Sequence, residues 1–201
     1  MLQSGTNYKI SQEKRRKYPP NIAYYDASAR QSAYELKEGL VKMFRLHHIH
    51  SRELVIMCIG SDRSTGDSLG PLIGYKLEKF HIPGISVRGT LSEPVHAANL
   101  AENLERINSS YRHPFVLAID ASLGTHEHIG YVTLSEGPLR PGLGVKKELP
   151  DVGDIHITGI VNFSGMMESL LLQTTRLSMV MQLADVISKA ILYGITEYYE
   201  I

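Results

Sequence analysis

Apolar residues along this chain fall into two kinds of pattern. Short unbroken runs, Leu54–Ile59 (LVIMCI) and Phe115–Ile119 (FVLAI), are bounded by glycine or polar residues and read as buried strands. Elsewhere apolar residues recur at helical spacing. Ala33, Leu36, Leu40, Met43, Phe44 and His47 mark one face of a helix that follows a cap at Asp26 or Ser28 and runs to about His48. Glu35, Lys37, Glu38 and Lys42 fall outside that face. From there the chain alternates. The pattern predicts strand 54–59, a helix over about 68–80, strand 85–91, a helix over about 94–108 and strand 115–119 ending at Asp120. Strand 128–135, a Gly/Pro segment at 137–144 and strand 155–161 come next. A single long helix over about 165–193 closes the series, carrying Met166, Leu170, Leu177, Val180, Met181, Ala184 and Ile187.

Strands alternating with helices through right-handed crossovers make an α/β fold, three-layer α/β/α around a mostly parallel central sheet. Length agrees, since 201 residues suit one domain with a sizeable core. That domain is expected at 26–201, preceded by a flexible polar arm at 1–25 carrying Lys14-Arg15-Arg16-Lys17.

Charge and composition narrow the class. Lys plus Arg number 21, as do Asp plus Glu, so the formal net charge is zero. That balance argues against nucleic acid or an anionic membrane as the main partner. No apolar run approaches the roughly 20 residues of a membrane span, and the N-terminus lacks the apolar centre of a secretory signal. The one cysteine, Cys58, lies inside an apolar run and reads as a small buried hydrophobe. A soluble, intracellular protein is the expectation; the oligomeric state stays open.

Two carboxylates stand out against this frame. Asp67 lies in the glycine-rich turn after the first run, and Asp120 directly follows the second. In a parallel sheet the C-terminal strand ends form the crevice where ligands bind. The turn is not a phosphate loop, because no Lys-Ser/Thr pair follows its glycines, and the dinucleotide spacing is absent. Each aspartate also has a plain explanation: Asp67 as a helix N-cap, Asp120 as a turn residue. Together, a few ångströms apart in a partly dry crevice, they can share a proton and divide the work of base and acid. Alternatively, two carboxylates and a histidine can hold a divalent metal. Among nine histidines, His126, His128 and His156 are the nearest candidates, without zinc-site spacing to support them. No serine elbow or exposed cysteine suggests a nucleophile.

At these residues the chain resembles a known group. IGSDRSTGDSLGP (59–71) is similar to the Gly-Asn-x-x-Val-Thr-Pro-Asp-Ala-Leu-Gly-Pro segment of the germination proteases of endospore-forming bacteria. IDASLG (119–124) resembles their Ile-Asp-Ala-Leu strand end, and EGPLRPGLGVKKEL (136–149) resembles their Pro-Gly-Ser-Gly-Val segment with the basic stretch after it. From about residue 25 the length and pattern resemble still better the YyaC family of short sporulation proteins, a group regarded as spore proteases. The fold implied is that of the hydrogenase maturation proteases. The resemblance implies Asp67 and Asp120 as the catalytic pair, and a protein or peptide as the substrate. Ser61, Asp62, Gly142 and Gly144 are the candidates for shaping the substrate groove. No cofactor is required, though a divalent metal remains the alternative, with His156 as its candidate ligand. The implied location is the cytoplasm of the forespore or the spore core.

Departures are specific. Ser61 stands for Asn, Gly66 for Pro and Ser68 for Ala; the Gly-Asn pair is missing at Val145-Lys146, and the chain is shorter. They motivate a rival reading, an inactive peptidase-fold protein that binds a partner peptide.

Overall fold

The computed structural model describes residues 22–142 and 149–201. The basic cluster at 14–17 and Gly144 lie outside the described residues. Six strands form one sheet: β1 (Ile22–Asp26), β2 (Glu53–Cys58), β3 (Ile85–Arg88), β4 (Pro114–Gly124), β5 (Tyr131–Glu136) and β6 (Ile155–Phe163). Their spatial order is β1-β5-β6-β4-β2-β3. β3, β2, β4 and β6 run parallel, while β5 is antiparallel to both β6 and β1. Five helices connect them: α1 (Ser32–Leu46), α2 (Leu69–Glu78), α3 (Leu100–Ser110), α4 (Glu168–Gln173) and α5 (Leu177–Tyr199).

Residue alternation builds the two cores. Leu54, Ile56 and Cys58 of β2, with Phe115, Leu117 and Ile119 of β4, face the larger core under α1, α2 and α5. Val55 and Met57, with Val116 and Ala118, face the smaller core under α3, where Leu100 and Ile107 pack. Because both faces are covered, these strands are continuously apolar rather than alternating. Helices on both faces of a mostly parallel sheet give the three α/β/α layers the sequence predicts.

The order of connections positions the site. From β2 the chain crosses by α2 to β3 on one side; from β3 it returns by α3 to β4 on the other side of β2. The two connections leave on opposite faces, so a crevice opens between the C-terminal ends of β2 and β4.

Several elements differ from the sequence expectation. Ile22–Tyr25, assigned to the polar arm, forms with Asp26 an edge strand paired with β5. Asp120 is not at a strand end: β4 continues to Gly124 because β6 pairs with it beyond Asp120, whereas β2 stops pairing at Ile119. The long helix over 165–193 is two helices. Thr175 Oγ1 (2.8 Å) and Asn162 Nδ2 of β6 (3.0 Å) both donate to Leu171 O, the carbonyl that Thr175 N–H would take in a continued helix, and that N–H turns to Leu172 O (3.4 Å) instead. Lys37, expected outside, is buried between α1 and α5, where Nζ donates to Glu197 (2.6 Å) and also reaches Glu38. At 23 residues, α5 is long and apolar enough to cross a membrane by length and composition, which no single unbroken run in the sequence is. Its apolar side chains Val180, Leu183, Ile187 and Ile191 are fully buried in the core.

Candidate active site

Asp67 is placed by backbone contacts around the end of β2. Ile59 N–H donates to Ile119 O (2.7 Å), and the chain then leaves the sheet at Gly60 with φ +141°. A Cβ at Gly60 would lie 2.0 Å from Asp67 O, a position only glycine permits. Ser61 N–H donates to Asp67 O (3.1 Å), so the loop doubles back and a single 3-10 turn, Gly66–Ser68, sets Asp67 over the strand end. The cap expected of Asp67 is not made. Ser68 holds the N-cap position of α2, and its hydroxyl donates to Thr65 O (2.6 Å) instead.

Asp120 comes from β4, on the face of Val116 and Ala118, and is 8 % exposed. Its Oδ1 accepts the Ala121 N–H (2.7 Å). Beside it, Ser122 Oγ donates to Thr158 Oγ1 (3.1 Å), which in turn meets Thr133 Oγ1 (2.7 Å), a hydroxyl ladder across three strands. It is not a turn residue, as one of its sequence explanations required.

Both carboxyls open into one cavity of about 380 Å³. Ser61 and Gly142, two of the predicted groove residues, are in its wall, and α4 closes one side with Ser169, Leu172 and Gln173. Asp62 is not in that wall; it faces outward on the turn, exposed. His156 is also elsewhere, opposite Ala118 on β6, with Nδ1 bonded to Gly137 O (2.9 Å) and its pKa lowered by burial. The His126 and His128 rings part company, stacking on Phe163 and Tyr24 respectively. Among the described residues, no group of three His, Cys, Asp or Glu side chains is placed to hold a metal ion. The arrangement therefore joins the aspartates to each other, not to the histidine proposed as a ligand.

Burial treats the two acids unequally. Asp120 is raised well above the usual carboxylate range, first by desolvation and then by the negative charge of Asp67, against a single opposing N–H from Ala121. Asp67 is raised less decisively: burial pushes it up, while the Ser61 N–H and His96 pull it back. Of the two, Asp120 is pushed further toward the protonated form, in part by the charge of Asp67. Such a division suits general acid and base work on one bound group.

Sequence reasoning missed His96, which lines the same cavity. It was expected inside a helix over 94–108. Instead α3 begins at Leu100, because Asn99 Oδ1 accepts His96 N–H (2.8 Å) and Asn99 Nδ2 donates to Pro94 O (3.0 Å), tying 94–99 into a loop. The Pro94…Asn99 bracket was the available signal.

Fold and cavity together define an α/β protein with an acid pair, Asp120 buried and Asp67 half-buried, at the switch point of its sheet. A family profile described as "Protein of unknown function (DUF1256)" matches residues 22–190, and the chain belongs to that family. It is 43% identical over 181 residues to "Uncharacterized protein YyaC" of Bacillus subtilis (strain 168), covering 90% of this chain and 84% of that one, in agreement with the YyaC-type motifs. Among solved structures it is similar to a [NiFe] hydrogenase maturation protease, HycI, from Thermococcus kodakarensis KOD1. That match has a TM-score of 0.43 at 16% identity, over 72% of this chain and 96% of that chain.

Proposed function

We propose that this protein is a peptidase of the developing spore in which Asp67 is the base and Asp120 the acid, cleaving a peptide bond of a spore protein. The observation that carries the reading is the sharing of one cavity by two carboxyls whose environments push their proton affinities apart. The sequence resemblance around TGDSLGP and IDASLG supplies the reaction class and the setting.

The chemistry closes without a net change in either acid. Asp67 takes a proton from a water whose oxygen attacks the peptide carbonyl carbon, while Asp120 gives its proton to the carbonyl oxygen. The C–N bond then breaks. The amine leaves with the proton held by Asp67, and the new carboxyl group returns one to Asp120. Gly142 and Ser61 lie in the cavity wall, where their backbone can line an extended substrate.

The test is to incubate the purified chain with extracted spore proteins and read new termini by mass spectrometry. Parent protein generates them, and Asp67→Asn and Asp120→Asn each abolish them while keeping the parent's circular dichroism. Full cleavage by either variant overturns the pair. A second reading, an inactive protein that holds a partner peptide, draws on Met166 (92 % exposed), Met167 and Leu170, apolar side chains left in solvent on the segment that walls the cavity. Stoichiometric binding with no new termini would favour it.

A further inference from the structure

His96 shares the cavity with both aspartates, yet the reaction as drawn gives it nothing to do. Its loop is fastened from two sides. Val95 bridges Ile59, and Val95 O accepts the Gly60 N–H (2.8 Å), which ties the loop to the same strand end that positions Asp67. Asn99 clamps the loop internally through His96 N–H and Pro94 O. The ring itself is oriented: Ala98 N–H reaches His96 Nδ1 at 3.3 Å, so in the neutral imidazole the proton sits on Nε2.

The ring also stands between two hollows. Beyond it lies a polar cleft of about 360 Å³ lined by Arg88, Glu93 and Arg106, while Arg63 lines the acid cavity. Asp67 is the group that responds to His96, since the imidazole counteracts the burial that raises that carboxyl. No hydrogen bond or ion pair links the two directly among the described residues. A water held between them in the shared cavity can accept from His96 Nε2–H and donate to the Asp67 carboxylate.

We propose that His96 is the third member of the acid–base set, a positioning residue that offers Nε2–H to the oxygen on which Asp67 acts. It orients the attacking water and passes no proton itself, so the balance of the reaction is unchanged. Its catalytic consequence rests on the peptidase reading, whereas its coupling to Asp67 does not.

Two measurements separate these. With the full chain carrying ¹³C-labelled carboxyls, the Asp67 titration is followed by NMR in the parent, His96→Ala and His96→Gln. The Asp67 midpoint is expected to rise in both variants, because each removes the attraction of the His96 ring that counteracts the burial of that carboxyl. An unmoved midpoint overturns the coupling, and with it the proposal. The second measurement uses a spore peptide that the parent cleaves. His96→Ala is expected to lose about 100-fold in kcat with KM little changed. His96→Gln, which keeps an N–H donor, should recover most of that loss. Parent-like turnover by His96→Ala overturns the inference and leaves the aspartate pair standing. Absence of cleavage by the parent removes the peptidase reading, and the Asp67 titration still decides whether His96 belongs to the set.

Discussion

A carboxyl as buried as Asp120 bears on stability as well as on chemistry. Its proton affinity in the folded chain is raised well above that of an unfolded aspartate, near 3.9. The folded state therefore binds the proton more tightly. Its favourable contribution is complete below about pH 3.9 and is lost as pH rises toward the folded value. Asparagine at this position cannot ionise and keeps an oxygen for the Ala121 N–H. Asp120→Asn should accordingly melt higher than the parent at pH 8, with the difference shrinking toward pH 4. A difference in melting temperature that stays constant over this range would contradict the raised affinity. Asp67 and Asp120 were legible as candidates because each follows an apolar run. Their unequal proton affinities were not legible, since these depend on burial depth and on neighbours such as His96, which lies between the two in sequence, well separated from both.

At the scale of an element, α2 shows how tightly the cavity wall is built. Gly70 and Gly74, four residues apart, turn one side toward the ends of β2 and β3, while Gly66 in the preceding turn packs against Leu172 of α4. A Cβ on Gly70 would lie 2.0 Å from Ile59 O, and one on Gly74 2.3 Å from Gly89 O. Gly70 and Gly74 form a close-packing stripe on the strand-facing side of the helix. Gly70→Ala is predicted to destabilise by about 1–3 kcal/mol, the usual range for overpacking. Gly194 in α5 offers the contrast, because its nearest neighbour, Leu40 Cβ, is 3.7 Å from the built Cβ. There alanine relieves the entropic penalty of glycine in a helix and should stabilise by about 0.5–1 kcal/mol. Urea unfolding of both variants checks the pair; equal effects would mean that contact distance does not govern these positions. The split between α4 and α5 belongs to this scale too. Helical periodicity runs through Thr174 and Thr175, so only the bonds from the Thr175 hydroxyl and Asn162 reveal the break.

The whole molecule is organised about β4. It lies between β2 and β6, buried on both faces, with Phe115, Leu117 and Ile119 toward one core and Val116 and Ala118 toward the other. The edges differ: β1 exposes Ile22 (41 %) and Tyr24 (48 %), and none of the four residues of β3 is fully buried. Native-state hydrogen exchange should therefore find the slowest amides in β2, β4 and β6, opening only with global unfolding, and faster exchange in β1 and β3. Protection of β1 equal to that of β4 would count against a centre-out distribution of stability. Because Asp120 lies in the central strand and Asp67 in a loop fastened to the next one, the acid pair is expected to rest on the part of the fold least given to opening.

Local pattern alone determined the succession of strands and helices, the α/β class and the two aspartates, because apolar periodicity and run length are properties of neighbouring residues. It could not determine where pairing stops on each side of β4, which leaves Asp120 inside a strand yet open to the crevice. Nor could it find β1, a short polar-edged strand that exists only because β5 presents an unpaired edge to it. The tertiary structure alone decided that Asp67, Asp120 and His96 face one cavity and that His156 does not, since that depends on which strand ends the crossovers bring together.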